Sequence, residues 1–257
     1  MSKSNNILQN IPKHNHIEPA IDIDKEEFIK LVNSRRSVRV FTDDIIDPDD
    51  LKECLDLAVL APTSSNLQCW EFYWVKNQSK KAKLKEYCLS QSAATTAQEL
   101  IVCVARIDTW KKNKDSIIKK LKNSKSTPKS AIKYYEKIVP FVYSQGLFGI
   151  IGFLKKILIF FIGIFRVIPR EPNSLSDMRV WAHKTTALAC ENLMLALRAY
   201  GYDSCPMEGM DSKRIKKLLK LSSKAEVCMV ISVGKRAKNG IYGERFRLDS
   251  DKIIKII

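Results

Sequence analysis

The densest group of chemically active side chains in this chain lies at residues 35–39. Three guanidinium groups and one hydroxyl fall within five residues, as Arg35, Arg36, Ser37, Val38 and Arg39. These donors suit a phosphate or another planar ligand rich in acceptors, because a guanidinium presents several N–H groups in a fixed fork. A solvated basic turn has the same composition, so the segment by itself leaves both interpretations open.

A second polar segment follows at residues 61–72. It is rich in hydroxyl and amide side chains and ends in aromatic residues typical of a strand. It consists of Ala61, Pro62, Thr63, Ser64, Ser65, Asn66, Leu67, Gln68, Cys69, Trp70, Glu71 and Phe72. Hydroxyls and amides donate and accept hydrogen bonds, which matches the edge of a heteroaromatic ring. An ordinary surface loop is the alternative, although two ligand-like segments in succession favour a site.

Two segments nearer the C-terminus match the same kind of ligand. Arg245 and Arg247 are two residues apart, so in an extended chain both guanidinium groups lie on one face and predict a second phosphate clamp. Residues 205–211 predict a turn bracketed by proline and glycine, whose backbone amides can approach a flat ring closely. This turn contains Pro206, Met207, Glu208 and Gly209.

Taken in this order, the four segments resemble the nitroreductase family of FMN-dependent oxidoreductases. The resemblance covers about residues 25–105 and 179–257, through Arg-x-Ser-x-Arg, the polar loop ending in Trp-Glu-Phe, Pro-x-Glu-Gly and Arg-x-Arg-Leu. It implies an α+β fold with a central, mostly antiparallel sheet flanked by helices. It also implies a homodimer that binds one FMN in each of two interface clefts. Cys69 stands where the family commonly has proline.

The resemblance further implies which residues hold the cofactor. The FMN phosphate would contact Arg35, the backbone of Arg36, Ser37, Arg245 and Arg247. Arg39 would lie at the pyrimidine edge of the flavin, where a fixed cation favours the reduced form and so tunes the cofactor. The other implied ring contacts are Pro62, Thr63, Ser64, Asn66 and Gln68 from the partner subunit, and Gln91, Pro206, Met207, Glu208 and Gly209, the last two with their backbone near N5. No side chain is assigned a catalytic role, because the flavin performs the hydride chemistry.

Cysteine and histidine chemistry has little support in the sequence. Seven cysteines show no C-x-x-C pair and no metal-ligand spacing, and their odd number argues against a disulfide scaffold, so we expect an intracellular chain without a metal. His14 and His16 lie in a polar leader, and His183 lies in a helical pattern. Cys205 is interpreted as a buried structural thiol. Without a G-x-G-x-x-G motif after a strand, a nicotinamide donor is expected to bind transiently over the flavin.

The elements that must position these residues are also visible in the sequence. Strands are predicted at residues 72–75, 100–105 and 227–233. A helix is predicted to begin after Asp47, which is a typical N-cap and is followed by Pro48 and two acidic residues, and to end before Pro62. Residues 177–200 form a long helical pattern ended by Gly201. The resemblance makes this the central dimer helix, whereas the spacing fits an ordinary core helix equally well.

We expect one decorated domain, since 257 residues with 45% apolar and 28% charged side chains can bury a sizeable core. Its segments are a polar arm (1–24), a first core part (25–105), a basic and apolar helical insertion (106–178) and a second core part (179–257). Between residues 106 and 170, fifteen Lys or Arg oppose three Asp or Glu, so this insertion carries +12 of the net charge of +16.

The second half of the insertion, residues 146–165, is apolar except for Lys155 and Lys156. A transmembrane span is disfavoured, because each lysine costs about 2.5 to 3.5 kcal/mol near the bilayer centre and residues 157–165 alone are far too short. A helix in the membrane interface with snorkelling lysines is one interpretation. A hydrophobic cap over the flavin cleft, or a buried dimer element, is the other.

The sequence therefore predicts a cytoplasmic, homodimeric FMN oxidoreductase, with an option of peripheral attachment to the inner membrane face through residues 106–170. It would accept hydride from NADH or NADPH and reduce a nitroaromatic, quinone or similar conjugated acceptor by a ping-pong mechanism. The alternatives are a specialised flavin enzyme of the same fold, such as a dehalogenase or dehydrogenase, and a membrane-surface or basic binding module with a structural flavin. Nucleic-acid binding is not expected, because no aromatic-interleaved RNA motif accompanies the basic residues.

Overall fold

The structure is a computed structural model that describes residues 18–124 and 127–257, so most of the predicted polar arm lies outside the described residues. The helices are α1 Lys25–Ser34, α2 Pro48–Ala58, α3 Gln78–Tyr87, α4 Ser92–Thr95, α5 Trp110–Asn123, α6 Lys129–Lys133, α7 Val139–Tyr143, α8 Ile150–Phe165, α9 Leu175–Ala199, α10 Ser212–Leu218 and α11 Ser250–Ile253. The strands are β1 Trp70–Trp74, β2 Glu99–Arg106, β3 Asp203–Met207 and β4 Ala225–Gly234. A single π-helical turn, Tyr134–Ile138, joins α6 to α7.

The four strands form one sheet in the order β1-β2-β4-β3, and each neighbouring pair is antiparallel. This confirms the predicted α+β fold with a central antiparallel sheet. The three predicted strands correspond to β1, β2 and β4. The predicted turn at residues 205–211 was wrong at its start, because residues 205–207 belong to β3. An edge strand accommodates Pro206, since a residue there can lack an N–H donor without breaking the ladder.

The sheet separates two apolar layers, and β2 explains how. Side chains alternate between the faces of a strand, so an unbroken apolar run fills both layers at once. Leu100, Val102 and Val104 pack on one side with α3 and α10. Ile101 and Cys103 pack on the other side with α2 and α9.

The two helices on that second side have the termini that the sequence predicts. The Asp47 carboxylate caps α2 by accepting from the Asp49 N–H, and Pro48 occupies the first turn. Ser174 caps α9 by accepting from the Asp177 N–H, and α9 ends before Gly201, whose φ of 82° is the left-handed conformation typical of a helix C-terminus. With 25 residues, α9 is about 37 Å long and crosses the whole sheet.

The insertion shares its core with the rest of the protein. Trp110 of α5 and Val139 and Tyr143 of α7 pack with Leu67, which follows α2, and with Trp181 of α9. The rings of Tyr143 and Trp181 lie 4.7 Å apart between centroids. The insertion is therefore packed directly on the polar loop at residues 61–68.

The apolar side chains of helix α8 mostly face outward. Of its 16 residues, only Gly152 and Lys155 are buried. The Lys155 ammonium donates to the backbone oxygens of Phe141 (3.1 Å) and Val142 (2.8 Å) at the end of α7, where carbonyls lack partners within their own helix. The expectation of two snorkelling lysines was therefore wrong for Lys155, whereas Lys156 is exposed.

The helical stretch Leu147–Phe165 is, by length and composition alone, the one among the described residues that could cross a membrane. Its 19 residues are mostly exposed in the structure. The α8 portion measures about 24 Å, which is shorter than a hydrocarbon core of about 30 Å.

Candidate functional site

The first arginine segment leaves α1 and runs beside the edge strand β3. Ser37 pairs with Ser204 in a parallel bridge, and the Val38 N–H donates to the Ser204 carbonyl at 3.0 Å. Val38 is fully buried, so the alternation of an extended chain places Ser37 and Arg39 on the exposed side. The sheet edge thus presents the predicted phosphate donors to solvent in one row.

The second arginine segment is brought beside the first by the chain after β4. The Arg39 N–H donates to the Gly240 carbonyl at 2.7 Å. Gly240 is required there, because a Cβ at this position would lie 2.5 Å from the Val40 carbonyl oxygen. The Arg36 guanidinium then donates to the Gly243 carbonyl at 2.6 Å.

Arg245 completes the junction between the two segments. Its Nη2 donates to the carbonyl of Asn33 at 2.9 Å and to that of Arg35 at 2.5 Å. Among the described residues, Arg247 donates within its own segment alone, to the Phe246 carbonyl at 2.8 Å. The Arg245 side chain therefore fixes the site, while that of Arg247 keeps most of its donors available.

Together these segments line one open cavity of about 240 Å³. Its lining residues are Arg35, Arg36, Ser37, Arg39, Ile241, Tyr242, Gly243, Glu244, Arg245, Phe246 and Arg247. Desolvation, followed by the charges of Arg36, Arg247 and Arg35, lowers the pKa of Arg245 below its ordinary value. A cluster of like charges is relieved by an anion, so the cavity has the electrostatics of a phosphate site.

The acidic groups near this cavity are too few to neutralise it. Glu244 is among the lining residues, and Glu191 of α9 lies 3.7 Å from the Arg35 guanidinium. Arg39 lies over the ring of Tyr242, with 5.6 Å between the guanidinium carbon and the ring centroid. Nothing lies within 4 Å of where a Cβ of Gly243 would stand, so the backbone there is open to a ligand.

The predicted ring-facing segment lies at the end of β3, next to Arg39. The Arg39 charge acts on Cys205, although burial is the larger effect and raises the pKa of that thiol. Pro206 and Met207 end the strand, and Glu208 and Gly209 follow with exposed surfaces. A Cβ at Gly209 would meet only ordinary contacts, so the protein's own packing leaves room above this backbone.

Gln91 supports this segment from the adjoining turn. Its side-chain NH₂ group donates to the carbonyls of Cys88 at 3.0 Å and Gly209 at 3.1 Å. The Asp211 N–H donates to the Tyr87 carbonyl at 2.7 Å, and the Asp211 carboxylate caps α10. Both ends of the segment are thereby fixed, and the structure places Gln91 against the Gly209 backbone.

The polar loop does not line the arginine cavity. It takes left-handed conformations at Ser65 (φ 52°), Asn66 (φ 49°) and Gln68 (φ 46°). Gln68 lines a separate cavity of about 630 Å³, beside Asn113 of α5, whose amide donates to the carbonyls of Leu67 and Gln68. Within one subunit, Pro62, Thr63, Ser64, Asn66 and Gln68 are thus apart from the other predicted contacts, and their reach to a partner subunit stays a prediction.

Sequence reasoning missed three tyrosines that contact this loop. Tyr134, Tyr135 and Tyr143 hydrogen-bond to Ser64 and Ser65 from about 70 positions further along the chain. A tyrosine in a basic, helical segment carries no signal for a partner that far away, so only tertiary structure reveals the contact.

Among the described residues, no cysteine or histidine side chain lines the arginine cavity. His14 and His16 lie outside the described residues. All seven thiols are free, and among residues 18–124 and 127–257 no group of His, Cys, Asp and Glu could hold a metal ion. His183 Nε2 lies 2.9 Å from the Glu226 carboxylate, which also binds Arg179 at 2.6 Å. Hydrogen bonding to Cys228, and then to Glu226, raises the pKa of His183.

Comparisons with known proteins give matches along most of the chain. The family model described as the nitroreductase family matches residues 32–235. The chain is 26% identical over 209 residues to the protein DrgA of Synechocystis sp., covering 81% of this chain and 83% of DrgA. It is 28% identical over 210 residues to MhqN of Bacillus subtilis, a candidate NAD(P)H nitroreductase, covering 81% of this chain and 88% of MhqN.

A solved structure shares the fold. It is that of a candidate nitroreductase from Exiguobacterium sibiricum in complex with FMN, with a TM-score of 0.64 and 23% sequence identity. The match covers 93% of this chain and 99% of that one. The likeness spans the insertion-bearing chain almost end to end.

Proposed function

The chain belongs to the nitroreductase family, and from that premise we propose that it is an FMN-dependent oxidoreductase. It accepts hydride from NADH or NADPH and passes electrons to a nitroaromatic, quinone or similar conjugated acceptor in a ping-pong cycle. The observation that carries this proposal is the cavity at the sheet edge, where arginines from residues 35–39 and 245–247 converge beside the open backbone of residues 208–209.

The donor set of this cavity fits the phosphate end of FMN. The guanidinium groups of Arg35 and Arg247, the hydroxyl of Ser37 and the backbone of Arg36 would hold the phosphate, and Arg245 would both contact it and fix the two segments. Each charged hydrogen bond is worth about 1.5 to 3 kcal/mol. The arginines of this open cavity outnumber the acidic groups beside it, and an anion would relieve the repulsion among them.

The flavin ring would lie from Arg39 along residues 206–209. When bound, FMN supplies the hydride chemistry. Arg39 would place a fixed positive charge at the pyrimidine edge. The Gly209 backbone, which Gln91 holds by a hydrogen bond, would lie along the ring. Glu208 and Gly209 are exposed, which leaves the space above this backbone accessible to a nicotinamide and then to an acceptor.

We propose that the active form is a homodimer in which the polar loop of one subunit completes the site of the other. Two observations support this. Asn66 is exposed and lies away from the arginine cavity of its own chain. Val180 and Leu188 of α9 are 62% and 46% exposed, so this long helix carries apolar surface that a second copy would cover.

The test of the enzymatic proposal is to purify the protein and measure its flavin absorbance and FMN content. We expect one FMN per subunit, bleaching of the flavin band on anaerobic addition of NADH or NADPH, and recovery on adding a quinone or nitroaromatic. A protein that binds no added FMN would refute the proposal. Bound FMN that neither nicotinamide reduces would instead favour the specialised flavin enzyme or the structural flavin.

Helix α8 favours a location at a membrane surface. Eleven apolar residues of this helix are exposed, and at 100° per residue they span about 200° of its circumference. A helix that packs on a protein core needs an apolar stripe of only about 100°. Pairing with one helix of a second copy would leave much of this arc in water, whereas the acyl boundary of a bilayer would cover it.

Charge complementarity indicates an anionic membrane. Lys156 and Arg166 are exposed on and beside α8, within the insertion that carries most of the net positive charge. Arg170 binds the carbonyls of Ile159 (3.3 Å) and Gly163 (2.9 Å), which fixes the inward side of the helix. We propose that α8 lies in the interface with its apolar arc toward the acyl chains and Lys156 at the headgroups.

Vesicle flotation tests this attachment. Lys156→Glu reverses a charge worth about 1 kcal/mol near an anionic surface, so binding to phosphatidylglycerol vesicles at low salt should fall about 30-fold. Lys213→Glu on the distant helix α10 is the matched control and should change little. The attachment is refuted if the unaltered protein does not bind the vesicles. If Phe153→Ser then also changes the oligomeric state, the apolar face is covered by a second copy instead.

A further inference from the structure

The polar loop holds a conformation that its own residues do not favour. Ser65, Asn66 and Gln68 all have positive φ within four positions, and none of them is glycine. Side chains with a Cβ rarely adopt this region, so such residues persist only where surrounding contacts hold them. Inside the loop, the Gln68 N–H donates to the Thr63 hydroxyl at 3.1 Å, and the Asn66 N–H donates to the Thr63 carbonyl at 2.9 Å.

Further contacts come from the insertion. The Tyr134 hydroxyl lies 2.7 Å from the Ser65 Oγ, and the Tyr143 hydroxyl lies 2.8 Å from the Ser64 Oγ and 3.1 Å from the Ser65 Oγ. The Tyr135 hydroxyl donates to the Ser65 carbonyl at 3.0 Å. Three phenol groups therefore surround two consecutive serines, and one of these, Ser65, has a left-handed backbone conformation.

The tyrosines themselves are held firmly. Tyr134 and Tyr135 lie on the π-helical turn with their rings edge to face, 5.3 Å apart. Tyr143 is only 4% exposed and packs between Trp110 and Trp181. Burial raises the pKa of Tyr143, so its hydroxyl stays protonated at physiological pH.

We propose that Tyr134, Tyr135 and Tyr143 are positioning residues for the flavin site. They hold Ser64 and Ser65 in the conformation that projects Asn66 and Gln68 outward, so the insertion sets the fraction of loops that can bind the flavin of the partner subunit. This inference rests on the proposed function. When only a fraction of the protein is in the conformation that binds a ligand, the apparent affinity for that ligand is reduced by the same fraction. The effect of the tyrosines is therefore measurable as FMN affinity.

The insertion also connects this cluster to its own surface. The ammonium of Lys155 on α8 binds the carbonyls of Phe141 and Val142, directly before Tyr143 in α7. The apolar helix and the serine loop are thereby attached to the same short helix.

The experiment compares Tyr134→Phe and Tyr143→Phe, which keep the aromatic ring and remove only the hydroxyl. Tyr202→Phe is the matched control, because the Tyr202 hydroxyl binds Asp50 at 2.7 Å on another part of the molecule. In the flavin-free proteins, hydrogen exchange of the amides of residues 63–68 should become faster in the two loop variants and stay unchanged in the control.

The second measurement is FMN affinity, by quenching of flavin fluorescence. Loss of one neutral hydrogen bond corresponds to about 2- to 10-fold weaker binding for each loop variant. In a Ser65→Ala background, Tyr134→Phe should add almost nothing, since the Ser65 hydroxyl that Tyr134 hydrogen-bonds is already gone. This lack of additivity separates positioning of the loop from a general loss of stability.

The outcomes are distinct from those of the proposed function. An unaltered protein that binds no FMN refutes the enzymatic proposal and this inference with it. The positioning role of the tyrosines alone is overturned by a different result. In that case the unaltered protein and Tyr134→Phe bind FMN equally well, and hydrogen exchange of residues 63–68 is the same in both. If Tyr143→Phe does not fold, Tyr134→Phe decides, because Tyr134 is not among the buried residues of the core.

Discussion

The two C-terminal arginines should differ in a way that isolates the phosphate contact. Within the described part of the chain, Arg247 donates to the carbonyl of its neighbour Phe246 alone, so Arg247→Ala removes a proposed phosphate ligand without releasing another segment. A charged hydrogen bond of about 1.5 to 3 kcal/mol predicts about 10- to 150-fold weaker FMN binding. Arg245→Ala should weaken FMN binding at least as much, and it should also lower Tm, since the carbonyls of Asn33 and Arg35 lose their donor.

The assay is titration of the flavin-free protein with FMN and with riboflavin, which lacks the phosphate. The ratio of the two affinities reports the phosphate contribution alone, so Arg247→Ala should reduce this ratio and leave riboflavin binding nearly unchanged. Arg166→Ala removes an equal charge from an exposed position outside the cavity and serves as the control. The reasoning fails if Arg247→Ala weakens riboflavin and FMN binding equally, because the arginine would then support the fold rather than the phosphate.

Three further outcomes are expected. Leu188→Glu should convert the dimer to monomers with weakened FMN binding in sedimentation velocity, and an active, flavin-loaded monomer would contradict the shared site. His183→Gln should lower Tm more at pH 6 than at pH 9. The pKa of His183 is raised in the folded protein, so its stabilisation is full below the pKa of the unfolded chain and is lost as pH rises through the pKa of the folded protein. An equal loss of Tm at both pH values would contradict this. Lys155→Met should cost about 1 to 3 kcal/mol of unfolding free energy in urea, because it leaves two carbonyls of α7 unpaired, whereas Lys156→Met should cost almost nothing.

Several features of the fold followed from local sequence rules. The continuous apolar run of residues 100–105 predicted a buried strand, because both faces of β2 are covered. Asp47 and Pro48 predicted the start of α2, since capping and a fixed φ act within one turn. Strand β3 could not be predicted in the same way. A short segment bracketed by Pro206 and Gly209 indicates a turn, and only its place at the sheet edge makes a strand compatible with proline.

The candidate site, too, was predicted in part from the sequence and in part only visible in the structure. Residue type and spacing were enough to indicate the arginines at 35–39 and 245–247 as anion ligands, because guanidinium chemistry is a property of each residue. That they share one cavity depends on the Ser37 bridge to Ser204 and on the close approach of Gly240 to Val40. These contacts join residues 167 and 200 positions apart, which no local pattern encodes.

The sequence by itself determined the composition of the insertion, with its basic first half and apolar second half. It could not determine which way the apolar side chains face, because an apolar run around the whole helix fits a buried core helix and an exposed one equally well. Only the tertiary structure turned Lys155 inward to the carbonyls of α7 and left the apolar arc outside. The same structure placed Tyr134 and Tyr143 on Ser64 and Ser65, because hydrogen bonds between distant segments depend on how helices pack, and packing is decided by the whole chain.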